Sequence, residues 1–302
     1  MHTINPSVTF IPTPIEDWKK TVCRAARVCY AADSGNDEAL LLRLIKDRHV
    51  SPWAIQPVSL SALAYKRLAK ITTDSDIKAV LTQVSLSEYF LIDRAKEHNI
   101  LSHQYKYIVS TTLRTIVEEA INVYPSDPER VLKLVEDIID TLSDFIYEDT
   151  SFQENPFLAF EVVSNIGCTR ELNRHSSYDF YLVEQSTRFC NFSSNKFNKE
   201  LPMNSPYWKS MPAEKVALIE EDWAEAVTTC EKKYLSLKDK GIENDIARGV
   251  LPLDLNTKAI YNGTKRHWLD VIAKRLYGVT GTPQGDIKII AGMICEQMKQ
   301  NV

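Results

Sequence analysis

Residues 157–166 read Phe-Leu-Ala-Phe-Glu-Val-Val-Ser-Asn-Ile, a β-branched and aromatic run that predicts a strand at the centre of a sheet. Soon after it the character of the chain reverses. Arg174-His175-Ser176 is followed closely by Glu184-Gln185-Ser186-Thr187-Arg188-Phe189. An acid, a hydroxyl, two arginines and a histidine fall within about four helical turns, or one loop and a helix. A core has no use for that mixture, because burying such groups costs several kcal/mol unless each finds a partner. Arginine presents a rigid fork of donors suited to phosphate. Glutamate and glutamine can read a base edge or a ribose hydroxyl. The cluster predicts a site for a phosphorylated, hydrogen-bonding ligand.

The rest of the chain predicts helices around a modest mixed sheet, an α+β fold in one domain, 1–302. Residues 7–12 read as an opening strand, Ile15–Tyr30 as a helix, Glu38–Asp47 as a short amphipathic helix and Val58–Tyr65 as a strand. Helical segments follow from Asp74 to about Ala120, and another helix spans roughly Pro128–Tyr147, so a helical insertion is expected over about 74–150. Asn191–Ser210 is rich in Asn, Ser and Pro and predicts irregular structure. Pro212 opens a long helix ending near Gly241, with Val216, Ile219, Trp223, Val227, Cys230, Tyr234 and Leu237 forming an expected core stripe. Two more helices are expected at about 264–277 and 285–300.

Composition removes several function classes. The net charge of −4 and the lack of a basic stripe argue against binding nucleic acid. No run approaches 18 apolar residues and the first residues lack a signal sequence, so no membrane association and a cytoplasmic location are expected. The six cysteines form no C-x-x-C pair and read as reduced thiols. His49 and His103 lie outside any H-E-x-x-H spacing, and no metal is expected. With only 9 glycines there is neither a G-x-G-x-x-G nor a G-K-[ST] motif, so any dinucleotide must be held by another surface.

Thr169-Arg170-Glu171-Leu172-Asn173-Arg174-His175, then Glu184-Gln185-Ser186-Thr187-Arg188-Phe189, resembles the signature of flavin-dependent thymidylate synthases, Arg-His-Arg, a spacer, then Glu-x-Ser-x-Arg-Tyr. Ala25–Tyr30 resembles the family's N-terminal flavin-side segment, and His49-Val50-Ser51-Pro52 the start of its His-x-Ser-Pro-Leu-Glu-His element. Ala247–Pro252, with Arg266, Trp268 and Arg275 beyond, resembles its C-terminal nucleotide-binding half. Thr111-Thr112-Leu113-Arg114 resembles a segment of its longer members. The resemblance implies a homotetramer with shared active sites that turns dUMP into dTMP with FAD, NADPH and methylenetetrahydrofolate. It places Cys29, Ser51, Arg174, His175, Glu184 and Arg266 at the cofactor. It places Glu171, Glu184, Ser186, Arg188, Arg248 and Arg275 at the substrate, with Arg275 and Ser186 in catalytic roles.

An arginine beside a uracil would favour its enolate-like form and ease attack at C5. No protein nucleophile is needed when a flavin carries the chemistry. Cys190, followed by Asn and without an adjacent base, is a poor nucleophile candidate. The chain departs from the pattern at Ser176, which replaces the second arginine, and at Ala54-Ile55, which replace Glu-His. Glu184 lies 9 positions after His175, slightly more than the family spacing, and Asp286-Ile287-Lys288 stands where Glu-Ile-Arg is usual. Losing an arginine that faces a cofactor removes a bond worth about 1.5–3 kcal/mol. Two alternatives therefore stay open. One is a related C5 modification of a pyrimidine nucleotide, such as hydroxymethylation. The other is a non-catalytic nucleotide-binding homologue.

Overall fold

A computed structural model describes residues 2–87, 91–94, 107–146, 153 and 155–301. In chain order the elements begin with β1 (His2–Ile4), β2 (Ser7–Ile11), α1 (Trp18–Tyr30), α2 (Asp37–Lys46), β3 (Pro57–Ser61), α3 (Ala62–Ile71), α4 (Ser75–Leu86) and β4 (Leu91–Arg94). They continue with β5 (Tyr107–Thr112), α5 (Leu113–Val123), α6 (Pro128–Leu142), β6 (Phe157–Asn165), α7 (Ile166–Asn173), β7 (Phe180–Glu184) and β8 (Pro202–Asn204). The last are α8 (Ala213–Asp239), α9 (Asn244–Ala247), β9 (Asn256–Thr264), α10 (Lys265–Arg275) and α11 (Gly285–Asn301).

The expected α+β class is the one observed. At its centre lies a four-stranded sheet of order β2-β6-β9-β7, antiparallel throughout, with β6 inside it as expected. Parallel pairing is found between β1 and β8. Alternation along the strands sends Leu158, Phe160, Val162, Ala259 and Tyr261 to one face, where they pack with Trp268 and Ile272 of α10 and Ile287, Ile290 and Ile294 of α11. Ala159, Val183 and Ile260 point to the other face, against Ala25, Val28 and Cys29 of α1. A separate core gathers α1 and α2 with the inserted segment, including Val58, Leu60, Val109, Leu113, Val135 and Ile138.

Several boundaries differ from the sequence reading. The strand predicted over Val58–Tyr65 stops at Ser61, whose hydroxyl accepts from the Ala64 N–H at 3.0 Å and starts α3. The insertion is not wholly helical: β4 and β5 join β3 in a three-stranded antiparallel sheet. The β-branched run Ile108, Val109, Thr111, Thr112 explains why β5 pairs rather than coils. The predicted Ile15 helix opens with a 3-10 turn, Ile15–Asp17, before α1. The helix predicted to Tyr147 ends at Leu142, with a 3-10 turn over Ser143–Phe145. Tyr147 and His103 lie outside the described residues.

The stripe on α8 is only partly core. Val227 and Tyr234 are buried, while Val216, Ile219, Trp223, Cys230 and Leu237 are half-covered. A helix of 27 residues is about 40 Å long, and α8 buries only Val227 and Tyr234 along it. No helix among the described residues is long and apolar enough to cross a membrane. Among those residues no group of three His, Cys, Asp or Glu side chains is placed to hold a metal.

Candidate functional site

Strands of the central sheet run directly into the two helices that carry the site. Asn165 ends β6 and caps α7 by accepting from the Cys168 N–H at 2.6 Å. Thr264 ends β9 and caps α10 by accepting from the His267 N–H at 3.3 Å. Because β6 and β9 are antiparallel, α7 and α10 start from opposite ends of the sheet and converge on one face.

Where they converge, Arg275, the last residue of α10, is clamped by the end of α7. Its Nε donates to His175 Nε2 at 2.9 Å, and a terminal nitrogen donates to the Glu171 carbonyl at 3.3 Å. Its guanidinium also pairs with the Glu171 carboxylate at 3.0 Å. Arg174 takes the other carboxylate oxygen at 2.8 Å, while its own side chain stays 69% exposed. Glu171 thus ties two guanidiniums together, and each keeps unused donors.

His175 is only 7% exposed. Because its Nε2 accepts from Arg275, its proton sits on Nδ1, 4.0 Å from the Asp270 carboxylate. Burial first, then the Arg275 charge, bring its pKa down to about 4. The ring is neutral at pH 7. The unfolded chain binds a proton near pH 6.5 that the folded chain refuses until about pH 4. The stability this group contributes is therefore complete above about 6.5 and lost as pH falls toward 4, by about 3 kcal/mol at most. Chemical denaturation across that window should show a shallower loss in His175→Gln than in the parent chain; equal slopes would refute the assignment.

Glu184 ends β7 on the α7 side of the sheet, since it shares parity with Phe180 and Leu182. Its Oε1 accepts from Thr169 Oγ1 at 2.7 Å and Thr257 Oγ1 at 3.2 Å. The chain then turns. The Ser186 N–H donates to the Cys29 carbonyl at 3.0 Å, and the Ser186 carbonyl accepts from Phe189 and Cys190. Tyr30 and Phe189 pack ring to ring at 5.0 Å. Cys29, Glu184 and Ser186 are brought together at this turn, against the end of α1. Burial pushes the Cys29 thiol up to about 11 and also raises that of Cys190, so neither is a ready nucleophile.

Ser51 opens the 3-10 turn Ser51–Ile55, which packs on α1 and β7. Ala54 and Ile55 are buried there, Ala54 with Phe157 and Tyr181, Ile55 with Val28 and Cys29. Arg188, Arg248 and Arg266 are exposed, and no side-chain bond joins them to the Arg275 cluster among the described residues. Arg188 lies over the Phe189 ring at 5.8 Å. Arg248 follows Ala247, which packs with Cys190 and Phe192.

Arg266 lines a cavity of about 390 Å³ at the start of α10. It is also lined by Asn155, Ser177, Tyr178, Asp179, His267 and Asp270, and by Leu91, Ile92 and Ser110 of the inserted sheet. Asp179 accepts from Ser177 Oγ at 2.7 Å and Thr264 Oγ1 at 2.6 Å, and lies 3.2 Å from His267 Nδ1. Burial pushes the Asp179 carboxyl up, but these three hydrogen bonds outweigh it and hold the group well below the usual carboxylate range. His267 therefore carries its proton on Nδ1. Its Nε2 is buried without a hydrogen-bond partner among the described residues. Sequence reasoning missed Asp179, His267, Asp270, Thr169 and Thr257. Two of them had a local signal: His267 adjoins Arg266, and Thr169 opens the segment Thr169–His175.

These features define an α+β protein with an arginine–carboxylate–histidine cluster on one sheet face and a polar cavity beside it. The chain belongs to the thymidylate synthase complementing protein family, whose model matches residues 96–302. The motifs at Ala25–Tyr30 and His49–Pro52 precede the matched region. No curated protein matches the chain. Among solved structures it is similar to a UMP/dUMP methylase, PolB, from Streptomyces cacaoi bound with 5-Br UMP. That likeness has a TM-score of 0.45 at 13% identity, over 99% of this chain and 93% of the other. It also resembles thymidylate synthase X from Helicobacter pylori with FAD and dUMP, at TM-score 0.35 and 18% identity, over 47% of this chain and 66% of the other.

Proposed function

We propose that the chain methylates dUMP to dTMP, with FAD as cofactor and NADPH and methylenetetrahydrofolate as co-substrates, in a homotetramer. Family membership supports an enzyme acting at C5 of a pyrimidine nucleotide. The observation that carries the reading is the Arg275–His175–Glu171–Arg174 cluster. Two guanidiniums are held in place by one carboxylate, and their spare donors suit a phosphate dianion or the carbonyl edge of a uracil. Arg188 and Arg248, exposed and without a side-chain ion pair among the described residues, supply further cations to the phosphate. Glu184, fixed by two threonine hydroxyls, and Ser186 read the nucleoside. Arg275 stabilises negative charge on the uracil, and neutral His175 orients that guanidinium.

FAD, when bound, supplies the hydride and one-carbon transfer chemistry. The residues at the start of α10 fit such a group: Arg266 is an exposed cation at the cavity, and Ser177 and Asn155 are its polar neighbours. Cys29 and Ser51 complete the cofactor side of the reading. The first test is the visible spectrum of the protein with FAD, followed by dUMP titration. A bound-flavin spectrum that dUMP perturbs is expected; absence of flavin binding refutes the reading and favours a non-catalytic nucleotide-binding homologue.

A second reading has an observation behind it. Ser176 stands in for the second arginine, and its hydroxyl turns back to the Asn173 carbonyl at 2.6 Å, so no cation reaches out from that position. A relative that keeps the nucleotide pocket but performs another C5 modification, such as hydroxymethylation, fits that change. Product mass separates the two, since the adducts differ by one oxygen.

Arg188→Ala should weaken dUMP binding at least ten-fold by calorimetry, the loss of a charge-assisted bond worth about 1.5–3 kcal/mol. Its melting temperature should stay within about 1 °C, because an exposed side chain adds little stability. Unchanged affinity removes Arg188 from the site.

A further inference from the structure

Thr169 lies on α7 with no exposed surface, close in sequence to the core residues Cys168 and Leu172. A hydroxyl shut away from water costs free energy unless it is hydrogen-bonded, and a valine would fill nearly the same space without that cost. The Thr169 hydroxyl has one proton and two acceptors in reach, Glu184 Oε1 at 2.7 Å and the Ile166 carbonyl at 3.1 Å. The shorter contact and the charged acceptor give that proton to Glu184. Thr257, also buried, reaches the same oxygen from the sheet at 3.2 Å. Register brings it there: Glu184 on β7 pairs with Ala259 on β9, and Thr257, two residues along, shares that strand face. Two donors thus fill Oε1, while no bond to Oε2 is made among the described residues. Glu184 is half-buried, so its carboxylate has one oxygen held and one left for a ligand.

We propose that Thr169 is a positioning residue for Glu184, setting where the carboxylate presents its free oxygen relative to the arginine–histidine cluster. This rests on the nucleotide reading above, in which Glu184 meets the substrate. The place of Thr169 in the fold suits that task. The same α7 carries Glu171 and ends at Arg174. The Thr169 bond therefore ties the acid at the end of β7 to the helix that bears the cluster. One turn further on, α7 has a second polar tie to the sheet, where the buried Tyr261 hydroxyl donates to Asn173 Oδ1 at 2.9 Å. That second tie holds the helix without bonding to Glu184. Support of α7 and placement of the carboxylate are thus assigned to different residues, and each can be removed alone.

Calorimetry with dUMP on the full chain is the test. Thr169→Val should weaken binding about ten-fold, and Thr257→Val, which loses the longer bond, about three-fold. Thr169→Ser keeps the hydroxyl and should stay within about two-fold of the parent. Glu184→Ala should weaken binding at least ten-fold. Adding Thr169→Val to Glu184→Ala should then change nothing further, because a residue that acts through Glu184 has no effect once Glu184 is gone. Tyr261→Phe removes only the tie to Asn173 and should change affinity by the same factor with or without Glu184. Thr169→Ala serves in the same cycle if the valine variant does not fold. Parental affinity in Thr169→Val, or a loss that simply adds to that of Glu184→Ala, overturns the inference and leaves Glu184 at the site. Coupling of Tyr261→Phe to Glu184→Ala as strong as that of Thr169→Val makes the role one of helix support and also overturns it. Parental affinity in Glu184→Ala removes Glu184 from the site, and failure of the parent chain to bind dUMP overturns the nucleotide reading as well.

Discussion

Arg275→Ala is expected to lower dUMP affinity about 100-fold and to raise the pKa of His175, with the fold retained. The affinity loss follows from removing a guanidinium that makes charge-assisted bonds. Two such bonds to a nucleotide, at about 1.5 kcal/mol each, amount to two orders of magnitude. The second effect has a definite sign. Burial is the first cause of the low His175 pKa and the Arg275 charge the second, so deleting Arg275 moves the group up from about 4 without bringing it fully to 6.5. Glu171 keeps Arg174 as a partner at 2.8 Å, which spares the carboxylate a bare charge. Arg275→Lys should recover the charge but not the fork that meets His175 and Glu171 together. Calorimetry gives the affinities and an NMR titration the His175 pKa. An Arg275→Ala chain that binds dUMP normally removes the cluster from the site.

Trp268→Ala should be the most destabilising single change in the central core. Trp268 is fully buried, its Nε1 donates to the Leu158 carbonyl at 3.0 Å, and its ring meets Phe160 and Phe180 edge-on at 5.0 Å each. Removing it leaves a cavity between β6, β9 and α10 and an unpaired carbonyl, at about 3–5 kcal/mol. The melting temperature should fall by roughly 10 °C. Space around the ring is already tight, since a Cβ on Gly263 would lie 2.6 Å from Phe180 and 3.3 Å from Trp268 Nε1. Trp268→Phe should keep most of the packing and lose mainly the hydrogen bond, at about 1 kcal/mol. A Trp268→Ala chain that melts within a few degrees of the parent would refute this account of the core.

The parts of this fold set by local pattern were readable in the chain. The strand over Phe157–Asn165, the helix after Pro212 and the two C-terminal helices follow from apolar periodicity and capping residues. Of the inserted sheet, β3 was readable as the strand from Val58, but β4 and β5 were not, because β4 is four residues long and both depend on pairing with other strands. The site divides in the same way. Arg174, His175, Glu184, Ser186 and Arg188 lie close together and announced themselves as a mixture no core requires. The bond from Arg275 to His175 crosses 100 positions, and the Asp179–His267 pair crosses 88. Neither leaves a trace in spacing, and only the convergence of α7 and α10 brings them about. Ser61 shows the limit of alternation as a signal: a hydroxyl that caps a helix ended the strand where apolar periodicity would have extended it.

One helix separates Arg266 at the cavity from Arg275 at the cluster, a span of nine residues and about 13 Å along α10. A helix of that length is a spacer of fixed length and fixed phase. Adding or deleting one residue between Trp268 and Lys274 would turn one end by about 100° relative to the other. With Arg266 and His267 seated at the cavity, Arg275 would swing off His175 and Glu171. With Arg275 seated, the cavity would lose its cation. Length changes in this stretch are therefore forbidden by geometry. A chain of this kind can adjust the distance between its two binding regions only by altering the walls opposite α10.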